Sequence, residues 1–87
     1  DYLRAEKHCS LALSGMNNDY WWEMKADAYE LRANCRGLQK QLTSACKDLN
    51  LALNLYIEHA GDVFEFHEMK KGDIAERIRK YCRKWHQ

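Results

Sequence analysis

The stretch Trp21–Tyr56, WWEMKADAYELRANCRGLQKQLTSACKDLNLALNLY, decides the fold. Its residues Trp21, Met24, Ala28, Leu31, Cys35, Leu38, Leu42, Ala45, Leu49, Ala52 and Tyr56 recur at alternating intervals of three and four, the period of one face of an α-helix. The phase does not change at Gly37, and no capping residue directly follows that glycine. A lone glycine inside a helix costs only about 1 kcal/mol. The spacing therefore predicts one long central helix over about 20–59, straight or bent at Gly37, with two helices as the alternative. Within it, Leu49–Ile57 is apolar almost all round. Leu51 and Leu55 lie opposite the Leu49, Ala52 and Tyr56 stripe, so this segment expects cover on two sides.

Toward the N-terminus, Tyr2, Ala5, Cys9, Ala12, Leu13 and Met16 share one helical face and predict a helix from Tyr2 to Ser14, followed by a loop over Gly15–Asp19. Toward the C-terminus, Asp62 and Asp73 follow glycines and are each followed three residues later by Glu65 and Glu76, a variant of the capping box. They predict a short helix from Val63 to Lys70 and a last one from Ile74 to His86, striped by Ile74, Ile78, Tyr81, Cys82 and Trp85. There is no proline. The expectation is an all-α fold, a small three- or four-helix bundle in one domain spanning 1–87, since 87 residues are too few for two cores. Opening on Asp1 rather than Met carries the expectation of a piece of a longer protein.

Four cysteines, Cys9, Cys35, Cys46 and Cys82, contain no C-x-x-C pair. Each falls on an apolar helical face, where a free thiol serves as a small core residue. A two-disulfide secreted module is the alternative. Folding the last helix back about a pivot near Phe66 brings Cys82 toward Cys46, which makes that pair the first disulfide to expect if any forms, with Cys9 and Cys35 as its complement. No Asn-x-Ser/Thr acceptor is present, which favours an intracellular origin over a secreted one; localisation is otherwise unread.

Ala5, Cys9, Ala12 and Leu13 recur 40 positions later as Ala45, Leu49, Ala52 and Leu53, with Leu-Ala-Leu identical at 11–13 and 51–53. This resembles the second helix of a tetratricopeptide repeat, where small residues let neighbouring helices pack closely. Trp22, Ala26 and Tyr29 are similar to that repeat's first helix. The spacing of 40 exceeds the family's period of about 34, and the repeat's terminal proline is absent. The resemblance implies peptide or protein binding in a helical groove.

No catalytic constellation is visible. His8 beside Cys9 is the only local thiol–imidazole pair, but adjacent residues on a helix diverge by about 100°. Asp27 with Glu30 reads as a pair of solvated charges. Cys82, His86, His59 and His67 hold metal-ligating atoms but lack a tight pair, and the reading is that no metal or other cofactor is bound.

The net charge of +1 hides a polarity: residues 1–69 hold 7 Lys/Arg against 11 Asp/Glu, and 70–87 hold 7 against 2. Arg77, Arg79, Lys80, Arg83 and Lys84 are candidate contacts for phosphates or an acidic partner. Tyr20, Trp21 and Trp22 cannot all face one core. In one reading an exposed Trp22 anchors a partner. In the other Trp21 joins the core stripe, Tyr20 covers the loop, and Trp22 packs on the first helix.

The function expected is a non-enzymatic protein-interaction or self-association module, binding through Trp21, Trp22, Leu51 and Leu55. The alternatives are a nucleic-acid-binding domain using the basic C-terminal helix and a secreted, disulfide-stapled helical ligand or receptor module. No apolar run approaches the roughly 20 residues a membrane span needs, so no membrane partner is expected.

Overall fold

The computed structural model describes residues 1–59 and 65–82, and excludes the side chains of Asp19 and Glu65. The fold is all-α. Among the described residues four helices, α1 (Tyr2–Gly15), α2 (Trp22–Leu38), α3 (Leu42–His59) and α4 (Glu65–Cys82), pack as a small bundle, and a 3-10 turn, Asp19–Trp21, precedes α2. Asp1 caps α1 by accepting from the Leu3 amide at 3.0 Å. α2 and α3 form the inner pair; α1 packs on α2 and α4 packs on α3.

The long central helix over 20–59 is in fact two helices. Lys40 takes the left-handed conformation at φ 65°, the Lys40 amide bonds the Gly37 carbonyl at 3.1 Å, and the Gln41 amide bonds the Arg36 carbonyl at 2.8 Å. These two bonds make a Schellman motif, which satisfies the last carbonyls of α2 and reverses the chain. Glycine usually fills the left-handed position; here a lysine does, at a cost of about 1 kcal/mol.

Gly37 serves closeness instead of turning. It lies inside α2, and a Cβ built there would meet the Tyr81 ring of α4 at 3.0 Å. Gly72 does not end a helix either, and Asp73 starts none: α4 runs through both. The space around Gly72 is open, and on either side Lys70 is ion-paired to Glu30 and Ile74 is fully buried, so packing outweighs the weak glycine signal. The Asp62 start and the end beyond Cys82 lie outside the described residues.

The core is built from small residues, Ala26, Ala33, Ala45 and Ala52, around Leu49, Tyr56 and Ile74. Alanine brings the backbones close, and it leaves little apolar area to bury. Fixed polar pairs and a crosslink supplement it. Asp48, 1% exposed, accepts from Arg32 at 2.8 and 2.9 Å and from Arg36 at 3.0 Å. The same guanidinium groups reach α1, Arg32 donating to Ser10 and Arg36 to Glu6, each at 3.0 Å. Cys46 and Cys82 form a disulfide between α3 and α4, Cα–Cα 5.5 Å and 36 residues apart, and Cys9 and Cys35 are free and buried. Closing a loop of that length removes about 4 kcal/mol of unfolded-state entropy in the chain-entropy view.

Two outcomes follow for equilibrium denaturation followed by circular dichroism. Asp48→Asn, which removes the carboxylate shared by Arg32 and Arg36 and leaves Arg32 without one, should cost about 3 kcal/mol. Lys40→Gly should add about 0.5 kcal/mol, the relief of left-handed strain less the flexibility gained by the unfolded chain. A neutral Asp48→Asn would show that the network does not hold the helices.

Candidate interaction surfaces

The aromatic start of α2 sorts into an inner and an outer group. Trp22 turns inward, with Tyr56 edge-on at 5.2 Å, His59 stacked at 5.8 Å and His67 edge-on at 5.3 Å between centroids. Trp21 stays 41% exposed and stacks on exposed Tyr20 at 4.8 Å. Both sequence expectations for these rings are therefore corrected. Trp22 is not the exposed anchor and packs on α3 and α4 rather than on the first helix, and Trp21 does not join the core. The reason is rotational: α2 must bury the arc carrying Trp22, Ala26, Tyr29, Glu30 and Ala33, because α3 and α4 both press on that side.

The apolar stripe that named this region is consequently split. In α3 it faces the core through Ala45, Leu49, Ala52 and Tyr56. In α2 only Cys35 of the stripe is buried, and Met24 56%, Leu31 52% and Leu38 58% are exposed. These three recur every seven residues and form a row about 21 Å long on one side of the helix.

A second apolar outcrop lies on α3. Leu51 is exposed, whereas Leu55 is half-buried against the core. The expected cover on two sides is therefore missing at Leu51 and Ile57, both exposed. Leu51 lies between two open depressions, one lined by Cys46, Lys47, Asn50 and Asn54, the other by Lys25, Tyr29, Asn54, Leu55 and Glu58.

The basic helix is largely compensated. Arg77 faces Glu30 at 3.4 Å and Asp73 at 3.6 Å, and Arg79 pairs with Glu76 one turn away. Lys80 is exposed beside them, in a depression it shares with Asp73 and Glu76. A phosphate approaching here meets carboxylates along with cations. Arg83 and Lys84 lie outside the described residues. Cys82 is taken up by the disulfide and His86 is undescribed; among the described residues no three His, Cys, Asp or Glu side chains are grouped to hold a metal. Tyr81 packs against the core as its stripe implies. Among the described residues no helix is long and apolar enough to cross a membrane.

The charges that sequence reading missed are the buried ones. Glu30, read as solvated, is buried and pairs with Lys70 at 2.9 Å. Asp48 is the other carboxylate buried among the described residues. Both carry a legible signal, since Glu30 falls with Ala26 and Ala33, and Asp48 with Ala45 and Ala52, at the spacing of buried faces. Hydrogen bonds from Arg36 and then Gln39 hold the Glu6 carboxyl below its ordinary range. The bond to Asp48 raises the already high pKa of Arg32. Burial pushes the Tyr56 phenol up to about 12, with Asp27, Glu30 and Glu23 adding to it.

Comparison with protein-family models, with curated proteins and with solved structures finds no match.

Trp22→Ala should cost about 3 kcal/mol of stability, the scale of a large aromatic lost from a packed site, whereas Trp21→Ala should change the melting curve little. Equal effects would overturn this division of the rings. Tyr56 gives a pH dependence. Its folded value lies above the ordinary value of 10.0, so its contribution is complete below pH 10 and is lost as pH rises toward about 12. Alkaline unfolding monitored by circular dichroism should move to higher pH in Tyr56→Phe if that variant is folded at neutral pH; an unmoved transition refutes the assignment.

Proposed function

We propose that this chain is a non-enzymatic helical protein-interaction module, and that binding runs along the outer side of α2. One observation carries the reading: Met24, Leu31 and Leu38 stand exposed in a row at heptad spacing, beginning beside the exposed Tyr20–Trp21 stack. A row of this kind receives the apolar face of an amphipathic helix, whose anchors recur at the same spacing. Aromatic side chains such as Trp21 are the residues on which interface energy concentrates. The likeness of part of the chain to tetratricopeptide hairpins supports the same mode. Leu51 offers a smaller second contact on α3.

The disulfide-stapled extracellular module is the second reading, favoured by the Cys46–Cys82 crosslink, since such bonds persist in oxidising compartments. It describes where the module works and is compatible with the binding mode. The nucleic-acid reading ranks lower because Arg77 and Arg79 are engaged by carboxylates.

The test pairs sedimentation from micromolar to millimolar protein with selection from a displayed library of helical peptides, using the parent chain and Leu31→Glu. Leu31 is half-exposed, so the variant should melt like the parent. The expected result is self-association or enrichment of peptides with apolar residues at intervals of three and four, lost in Leu31→Glu. A monomer throughout with no peptide enriched sinks the proposal.

A further inference from the structure

The two cysteines left outside the Cys46–Cys82 crosslink occupy one interface. Cys9 is the one buried residue of α1 and Cys35 is a buried residue of α2. The register between these helices is fixed by two polar contacts, Glu6 to Arg36 and Ser10 to Arg32. Glu6 and Ser10 bracket Cys9 on α1, and Arg32 and Arg36 bracket Cys35 on α2, so the same two contacts enclose both sulfurs within about one helical turn. The Cys9 thiol accordingly feels Cys35: burial first, and then the neighbouring thiol, push its pKa up.

The architecture gives the pair a role. α1 packs chiefly on α2, whereas α4 packs on α3 and also meets α2 through Glu30, Gly37 and Trp22. α4 has a covalent tie to α3. α1 has a single buried residue, so apolar burial alone anchors it weakly, and that residue is a cysteine whose thiol lies near enough to Cys35 to feel it. The pairs Cys9 with Cys35 and Cys46 with Cys82 follow one another along the chain without crossing, so each can close independently of the other.

We propose that Cys9 and Cys35 are a second disulfide site, joining α1 to α2 when the chain folds in the presence of a small-molecule disulfide such as oxidised glutathione. The thiolate of one cysteine attacks a glutathione sulfur, forming a mixed disulfide and releasing one glutathione thiolate. The thiolate of the other then attacks the protein sulfur of that mixed disulfide and releases the second glutathione. Two protein thiols and one glutathione disulfide become one protein disulfide and two glutathione thiols. Two electrons pass to glutathione, and the two protons lost by the protein thiols end on the released thiolates. Because the folded state buries both thiols, the exchange takes place during folding or when α1 lifts from α2. This inference goes beyond the binding reading and does not depend on it.

The experiment is refolding of the full chain from reductant in a glutathione redox buffer, alkylation of remaining thiols after unfolding, and tryptic mapping without reduction. Cleavage after Lys and Arg places the four cysteines on separate peptides, residues 8–25, 33–36, 41–47 and 81–83, so every pairing gives a distinct linked mass. The expected result is peptide 8–25 linked to 33–36, with the intact chain about 4 Da lighter than its reduced form when both pairs are closed. Recovery of Cys9 and Cys35 as alkylated thiols overturns the proposal, whatever the state of the other pair. A linkage of either one to Cys46 or Cys82 overturns it equally.

Discussion

One buried carboxylate holds three helices in register. Asp48 of α3 sits between Arg32 and Arg36 of α2, and those guanidinium groups continue to Ser10 and Glu6 of α1. Desolvating an aspartate costs several kcal/mol unless its lone pairs are met, and here both oxygens receive donors. The geometry is therefore demanding. A slide of α1 or α3 by one residue would leave charges facing no partner, so the network specifies register where a core of alanines does not. It also reaches the chain reversal: Arg36 supplies a capping carbonyl to the turn, and Gln39, the C-cap of α2, donates to Glu6 at 2.9 Å.

A second carboxylate performs the matching task for α4. Glu30 meets Lys70 and Arg77, and beside that contact Gly37 admits the Tyr81 ring. α2 is thus gripped through polar contacts by α1, α3 and α4. What remains of its circumference is the arc with Met24, Leu31 and Leu38, the residues a purely apolar reading would have placed inside. The exposed row and the buried charges are two results of one rotation of the helix.

This explains which parts of the structure could be read from sequence. The helical class, the first helix and the inward face of α3 are carried by Cys9, Ala45, Leu49, Ala52 and Tyr56, whose spacing and burial agree. The proximity of Cys46 and Cys82 follows from helix lengths and a single reversal. The reversal at Lys40 could not be read, because a lysine carries no preference for the left-handed region and the nearby Gly37 offered a false marker. The orientation of α2 could not be read either. The buried residues of its inward arc are Ala26, Glu30 and Ala33, a weaker signal than the large apolar residues Met24, Leu31 and Leu38 of the outward arc. Of the candidate binding residues, Trp21 and Leu51 are on the surface and Trp22 is not, a difference set by that same orientation. The pairing of Arg77 with Asp73 and of Arg79 with Glu76 is legible as carboxylates three and four residues away on one helix, whereas the long-range contact of Arg77 with Glu30 is not.

The crosslink between Cys46 and Cys82 has a bearing on how the chain fares among proteases. A nick anywhere between those residues leaves the two pieces covalently joined, so α3 and α4 can be cut without being lost from one another. A nick in the turn at Gln39–Gln41 severs the only backbone connection between α1 with α2 and the crosslinked half. After that cut, the shared core of α2 and α3 and the contacts of Asp48 with the arginines across from it are what join two separate polypeptides. The same molecule is therefore durable in one half and, in the other, only as durable as its turn.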